Sequence, residues 1–186
     1  MSFKQKLQTV VGLCGLMVVI YLIDLLLGGW LKSFGIHPRQ FMSLPTIFTA
    51  PFIHGSIWHL VSNLMGMAVF SMLCLLRGPK FFMSSSLFII GVTGILVWLF
   101  GRSANHIGAS GWLFGLWSLS IALAWFERSI KSIAIGVFVV IFYGGMIFGV
   151  LPTRSYISFE SHLFGALSGI LYAALFCRPK KPLPAS

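Results

Sequence analysis

Six long apolar segments divide the sequence, and each is close to 20 residues in length. About 20 apolar residues in a helix are needed to cross a hydrocarbon core of about 30 Å, so each segment is a candidate transmembrane helix. The connections between them are short except for residues 30–56. The sequence therefore predicts an all-α membrane protein, a six-transmembrane-helix bundle in a single domain (residues 1–177) with a disordered tail (residues 178–186). The predicted helices are approximately 8–29, 57–76, 81–100, 110–126, 132–151 and 161–177.

The composition excludes an ordinary soluble domain. Hydrophobic residues make up 58% of the 186 residues, charged residues only 9%, and the mean hydropathy is +0.96. In a soluble domain the charged fraction is about a quarter. We therefore expect the lipid bilayer to surround the bundle.

The net charge of +10 is explained better by topology than by nucleic-acid binding. If the N-terminus lies in the cytoplasm, nine lysines and arginines fall on the cytoplasmic side and four on the outer side. Such an excess predicts that both termini, including the tail, are cytoplasmic, and we expect no nucleic-acid partner. The nine are Lys4, Lys6, Arg77, Lys80, Arg128, Lys131, Arg178, Lys180 and Lys181, and the four are Lys32, Arg39, Arg102 and Arg154.

Polar and ionisable side chains are costly inside a membrane, so those present are candidates for function. They form three clusters at the starts of the second, fourth and sixth predicted helices, namely residues 54–63, 108–111 and 160–165. Ser110 precedes Glu127 by 17 positions and His162 precedes Arg178 by 16. At a rise of about 1.5 Å per residue both lie about 25 Å from the cytoplasmic end. We expect the clusters to share one layer in the outer leaflet.

Ser110 and His162 have the chemistry of a nucleophile and its base. A serine hydroxyl is a weak nucleophile until a base takes its proton, and histidine can do this near neutral pH. The helix that begins at Ser110 has free backbone N–H groups that can bind an oxyanion. His59 and Asn63, four residues apart on one helix face, can add two side-chain donors. The pattern predicts acyl transfer by a Ser-His dyad, with no third member evident.

We expect neither a cofactor nor a metal. The three cysteines lack the close spacing of a metal site. The His-Glu-x-x-His pattern of a metal-dependent intramembrane protease is absent from the sequence.

Glycines on the fourth and sixth predicted helices indicate how Ser110 and His162 could approach each other. Gly111 and Gly115 form one face of small residues, and Gly165 and Gly169 form another. We expect these faces to pack together, so that valine at Gly165 would remove most activity. The same change at Gly149, near the end of the fifth helix, is expected to be mild.

Together the three clusters resemble the signature of the rhomboid family of intramembrane serine proteases. The family elements His-x4-His-x3-Asn, Gly-x-Ser-Gly and His-x-x-Gly occur in the same order on helices 2, 4 and 6. They appear here as His54/His59/Asn63, Gly108/Ser110/Gly111 and His162/Gly165. The resemblance covers helices 2 to 6 and implies a rhomboid-like bundle of the small bacterial type, in the inner (cell) membrane.

The resemblance implies an intramembrane serine endopeptidase, a hydrolase that cleaves transmembrane segments of other membrane proteins. It implies Ser110 and His162 as the catalytic dyad. The implied oxyanion donors are His59, Asn63 and the backbone N–H of Ser110, while His54 would support the site. The substrate would be a single-span helix with a small residue at the cut.

The sequence departs from the family at two places. Many members carry Trp-Arg in a long loop between helices 1 and 2, whereas this chain has Pro45-Thr46 in a shorter loop. An aromatic residue often stacks on the catalytic histidine, and the residue four after Ser110 is Phe114 where some members have tyrosine. Stacking remains possible without the hydroxyl.

The alternative interpretation is a non-catalytic rhomboid-like protein that binds membrane helices without cutting them. Such a protein would be expected to lack the serine or the histidine, and both are present. A small transporter has little support, since no paired repeat is evident. Of the other polar residues, we expect His37 and His106 to be solvated in loops, and Asp24 to reach the outer interface or a partner.

Overall fold

The computed structural model describes residues 1–152 and 158–177, so the predicted tail, residues 178–186, lies outside the described residues. The described residues form six α-helices and contain no strand beyond an isolated bridge between Ile36 and His106. The helices are α1 (Phe3–Leu26), α2 (Ile57–Leu75), α3 (Pro79–Phe100), α4 (Ser110–Glu127), α5 (Ile130–Tyr143) and α6 (Phe159–Phe176). Short 3-10 turns cover Trp30–Phe34, Phe41–Ser43, Pro45–Phe48, Ala50–Phe52 and Gly144–Val150.

Five segments of the described chain are long and apolar enough to cross a membrane. They are α1, α2, α3, α6 and Ile130–Val150, which joins α5 to the 3-10 turn that follows it. The prediction of an all-α membrane protein is confirmed at this level, and six crossings stay a prediction because α4 is not among the five. Thirteen of its 18 residues are buried. A helix surrounded by protein needs less apolar surface than one that faces lipid, which explains the serines and glycines of α4.

Two helices differ most in extent from the sequence prediction, for local reasons. The predicted helix 8–29 lies at Phe3–Leu26, because Ser2 and Gln5 form a capping box at its start and Gly28 and Gly29, both with positive φ, end it. The predicted helix 132–151 stops at Tyr143 and continues as a 3-10 turn. This turn begins with two glycines, Gly144 and Gly145, which favour an α-helix less than other residues do.

The loop between α1 and α2 is fixed to the end of α3. Arg39 donates to the backbone oxygens of Gly101 at 2.8 Å and Leu99 at 3.3 Å, and to Ser103 Oγ at 3.1 Å. A cation at the C-terminal end of a helix stabilises its unpaired carbonyls. The α1–α2 loop and the α3–α4 loop therefore form one layer over the starts of α2, α4 and α6, which we call the Ser110 end.

Asp24 stabilises the fold. Contrary to expectation, its side chain does not reach the outer interface. Its side chain is 1% exposed, and its Oδ1 accepts the backbone N–H of Leu31 at 2.8 Å. Its Oδ2 lies 3.8 Å from Lys32 Nζ. Asp24 thus closes the turn after α1.

Candidate active site

The glycines of α4 and α6 bring these two helices into backbone contact. A Cβ added to Gly165 would lie 2.9 Å from the carbonyl carbon of Gly111 and 3.1 Å from its Cα. A Cβ on Gly169 would lie 2.9 Å from the carbonyl carbon of Gly115. Real Cβ atoms essentially never come this close, so only glycine fits. The expected packing of the two small faces is present.

Ser110 occupies the first position of α4 and is 8% exposed. The residue before it, Ala109, gives the helix no side-chain cap, and the first intrahelical bond runs from Leu113 N to Ala109 O. The N–H groups of Ser110 and the next residues therefore have no partner within the helix. Such groups, at the positive end of the helix dipole, favour a negative charge beside Ser110.

His162 lies one turn into α6 and is held by two contacts. Its ring stacks on Phe114 with the ring centroids 4.2 Å apart and the planes 7° from parallel. Its Nδ1 lies 2.8 Å from the backbone oxygen of Gly149. A carbonyl can only accept a hydrogen bond, so Nδ1 carries a proton and Nε2 of a neutral ring is left as an acceptor.

The structure does not join the two dyad candidates directly. Within residues 1–152 and 158–177, no hydrogen bond links Ser110 Oγ to His162. They are brought together through Phe114, which follows Ser110 by one turn of α4 and carries the stacked His162 ring.

His59 and Asn63 lie on one face of α2, next to the approach to Ser110. Ser56 caps this helix by accepting the backbone N–H of His59 at 3.2 Å. Gly108 has a φ of +108°, and a Cβ there would lie 2.5 Å from His59 Nε2 and 3.5 Å from Asn63 Nδ2. Asn63 is 3% exposed and its Nδ2 has no hydrogen-bond partner among the described residues. A buried amide without a partner is costly, and this one lies where the candidate oxyanion hole was predicted.

His54 supports the turn before Ser110. Its ring is fully buried, with Nδ1 at 3.3 Å from Phe52 O, while Nε2 accepts the backbone N–H of Ala109 at 3.5 Å. Burial, and to a smaller extent the neighbouring His59 ring, lower the pKa of His54 to about 4. The neutral ring is the form that can accept from Ala109.

Two groups at this end were missed or misjudged from the sequence. Gly149 lies beside the candidate base, since a Cβ on it would lie 2.6 Å from Phe114 Cζ and 3.5 Å from His162 Nδ1, so the structure does not favour a mild effect of Gly149→Val. His106 is not solvated, because it is 2% exposed. A backbone carbonyl leaves no sequence signal. Only the position of His106, four residues before Ser110, could have drawn attention to it.

Comparisons with known proteins identify the family of this chain. Residues 38–179 match the family model of the rhomboid domain. An uncharacterized protein of Mycobacterium tuberculosis is 31% identical over 182 residues, covering 93% of this chain and 76% of that protein. An uncharacterized protein of Mycobacterium leprae is 32% identical over 190 residues, covering 93% of this chain and 72% of that protein. The matched region contains all three polar clusters, and the chain belongs to the rhomboid family, whose members are generally intramembrane serine proteases.

Proposed function

We propose that this protein is an intramembrane serine endopeptidase in which Ser110 is the nucleophile and His162 the base. One observation carries the proposal, the double restraint on His162. The Phe114 ring, one turn of α4 after Ser110, fixes its plane, and the Gly149 carbonyl fixes its tautomer, which leaves Nε2 as the acceptor. In serine proteases with a triad an aspartate holds the histidine, and here a backbone carbonyl would do so.

The proposed reaction uses each of these groups in turn. Ser110 Oγ attacks the carbonyl carbon of the scissile bond while His162 Nε2 takes its proton. The C–N bond then breaks, and the same proton passes to the leaving amine. A water molecule, deprotonated by His162, then attacks the acyl carbon. The ester C–O bond breaks, and His162 returns the proton to Ser110 Oγ, which restores the serine.

The negative charge on the carbonyl oxygen would be bound by three donors. The backbone N–H of Ser110 is free of the helix ladder, and Asn63 Nδ2 is buried without a partner among the described residues. His59 Nε2 lies beside Gly108, in the turn that leads to Ser110. Donors fixed before the reaction stabilise a developing charge without reorganisation, and each contributes about 10²- to 10³-fold in turnover.

The substrates we propose are transmembrane segments of other membrane proteins. A peptide bond within a helix is shielded by its hydrogen bonds, so a segment must unwind before Ser110 can reach it. Small or helix-weakening residues at the cut would favour this. The proposed location is the inner membrane of a bacterium, with both termini cytoplasmic and the Ser110 end in the outer leaflet.

The alternative function, binding of membrane helices without cleavage, has one observation in its favour. In the described part of the chain, Ser110 and His162 are not hydrogen-bonded to each other. Catalytic hydrogen bonds are often long before substrate binds and tighten in the reacting complex.

Labelling with a fluorophosphonate distinguishes the two functions, since the probe reacts only with an activated serine. We expect the detergent-solubilised protein to be labelled, and the Ser110→Ala and His162→Ala variants to be unlabelled. Ser84→Ala is a matched control, because this serine lies on α3 and bonds Tyr172 at 2.6 Å. A wild-type protein that is folded but unlabelled would favour the binding function.

A further inference from the structure

His106 lies in the α3–α4 loop (residues 101–109), and both of its ring nitrogens are engaged. Nε2 lies 3.0 Å from the backbone oxygen of Arg102, and Nδ1 lies 2.6 Å from Ser158 Oγ. Since a carbonyl only accepts, Nε2 carries the proton in the neutral ring and Nδ1 accepts the hydroxyl proton of Ser158. The neutral ring therefore satisfies both contacts in one tautomer.

Ser158 is the residue that caps α6. Its Oγ accepts the backbone N–H of Ser161 at 3.3 Å and lies 2.7 Å from Ser161 Oγ. His162 follows Ser161 directly, so the cap fixes the turn that carries the candidate base. The bond from His106 to Ser158 thus ties the α3–α4 loop to this turn.

The backbone of His106 is also anchored. Its N–H donates to Ile36 O at 3.0 Å and its oxygen accepts from Ile36 N at 2.9 Å, which fixes it to the α1–α2 loop. A second tie runs parallel to the first, because Arg102 Nε lies 3.4 Å from Glu160 Oε1. The loop that contains both ties leads directly into Ser110 at the start of α4. One short segment therefore contacts the helix of each candidate dyad residue.

We propose that His106 is a positioning residue, which holds the first turn of α6 through Ser158 and so sets His162 relative to Ser110. The inference rests on the proposed function, since it assigns His106 a part in the same reaction. A misplacement of about 1 Å at a catalytic group can cost about 10²-fold in rate, so loss of one tie should be visible in catalysis.

The test measures fluorophosphonate labelling of Ser110, with the maximal labelling rate separated from the probe affinity. We expect His106→Ala to lower the maximal rate about 10-fold and to leave probe affinity unchanged. Ser158→Ala should do the same, and the double variant should be no slower than either, because the two residues act as one unit. His37→Ala is the matched control, a histidine in the neighbouring loop, and should label at the wild-type rate.

Two conservative variants separate positioning from a merely structural role. The amide oxygen of asparagine at position 106 can take the place of Nδ1 and accept from Ser158, whereas the amide nitrogen of glutamine takes the place of Nε2 and keeps only the Arg102 contact. We expect His106→Asn to recover most of the labelling rate and His106→Gln to remain slow. Thermal unfolding of both variants should be similar.

The outcomes distinguish this inference from the proposed function. A wild-type protein without labelling would overturn both. Labelling of wild type together with an unchanged rate in Ser158→Ala, or with equal rates for His106→Asn and His106→Gln, would overturn the inference alone. If His106→Ala does not fold, Ser158→Ala and the two amide variants decide.

Discussion

α4 and α5 are neighbours in the chain and pack together, yet they differ in burial and in how they end. Thirteen of the 18 residues of α4 are buried, whereas only Ser132, Gly136 and Val139 are buried among the 14 residues of α5. α4 remains α-helical to its last residue, Glu127, whereas α5 stops at Tyr143 and is followed by the 3-10 turn Gly144–Val150. The proposed nucleophile therefore lies on a well-packed helix, while the carbonyl that orients the proposed base lies just beyond a mostly exposed one. We expect changes that disturb the packing of α4 to affect folding and activity together, and changes beside the end of α5 to affect activity alone.

The largest effect is expected at Ser110 itself. Ser110→Ala and His162→Ala should each reduce cleavage of a single-span test substrate by about 10⁴-fold or more, and the double variant should be no worse, since the two act as a unit. Neither change opens a large cavity, so unfolding temperatures should stay close to wild type. Cleavage by Ser110→Ala at a measurable fraction of the wild-type rate would remove the serine from the mechanism.

The next effect concerns the oxyanion donors on α2. Asn63→Ala removes a buried donor that has no partner among the described residues, so it should lower kcat by about 10²- to 10³-fold. KM should change little, because the bond forms only as charge develops. Steady-state kinetics with the same substrate checks this. An increased KM at unchanged kcat would make Asn63 a docking residue.

The contact between α4 and α6 should couple activity to stability. Gly165→Val would force the two backbones apart at Gly111, so we expect about a 10²-fold loss of turnover and a clearly lower unfolding temperature. Gly91→Val is the matched control, since a Cβ at Gly91 in α3 meets nothing within 4 Å. Wild-type cleavage by Gly165→Val would contradict the close approach.

A smaller change, Gly149→Ala, tests the 3-10 turn that follows α5. The new Cβ would lie 2.6 Å from Phe114 Cζ, so the ring that supports His162 must move. We expect about a 10-fold lower kcat with little change in unfolding temperature, because this segment contributes little to the core. Gly145→Ala, in the same turn but with open space around it, should be silent. If Gly149→Ala lowers the unfolding temperature as much as Gly165→Val does, the two regions do not differ in their effect on stability.

The sequence could predict those parts of the site that depend on local spacing. The i, i+4 pair His59 and Asn63 and the small faces around Gly111 and Gly165 follow from helical periodicity, which hydropathy and residue type reveal. The end of α5 could not be predicted, because its apolar composition continues through Val150 while the winding changes. The carbonyl of Gly149 also could not be predicted, because every residue carries a carbonyl and only the tertiary structure selects one.

His106 was misjudged for a related physical reason. A histidine in a loop is usually solvated, and its burial here depends on two loops covering it from sequence-distant positions, through Ile36 and Ser158. Asp24 was misjudged in the same way, since its partner Leu31 lies beyond a turn formed by two glycines. Side chains in the layer of loops thus take their roles from contacts that no periodicity encodes.

The smallest expected effect is a dependence of stability on pH from the buried histidines of the Ser110 end. The pKa of His54 is lowered to about 4 by burial and by His59, and burial also lowers the pKa of His106. The unfolded chain, with a histidine pKa of about 6.5, therefore binds more protons than the folded one between pH 6.5 and 4. The stability of the folded state is therefore full above pH 6.5 and is lost as the pH falls toward 4.

A shift of this size corresponds to at most about 3 kcal/mol for His54, of which about half would be lost by pH 5. We expect the unfolding temperature in detergent to fall by about 4 °C between pH 7 and pH 5. His54→Gln, which cannot be protonated in this range, should flatten that slope while lowering stability at pH 7. The matched variant His37→Gln should keep the wild-type slope, and an unchanged slope in His54→Gln would show that the buried ring is not what responds to pH. Because His54 accepts from Ala109, next to Ser110, the loss of stability at low pH should begin at the start of the well-packed α4 and not at the exposed α5, which hydrogen exchange of the two helices can resolve.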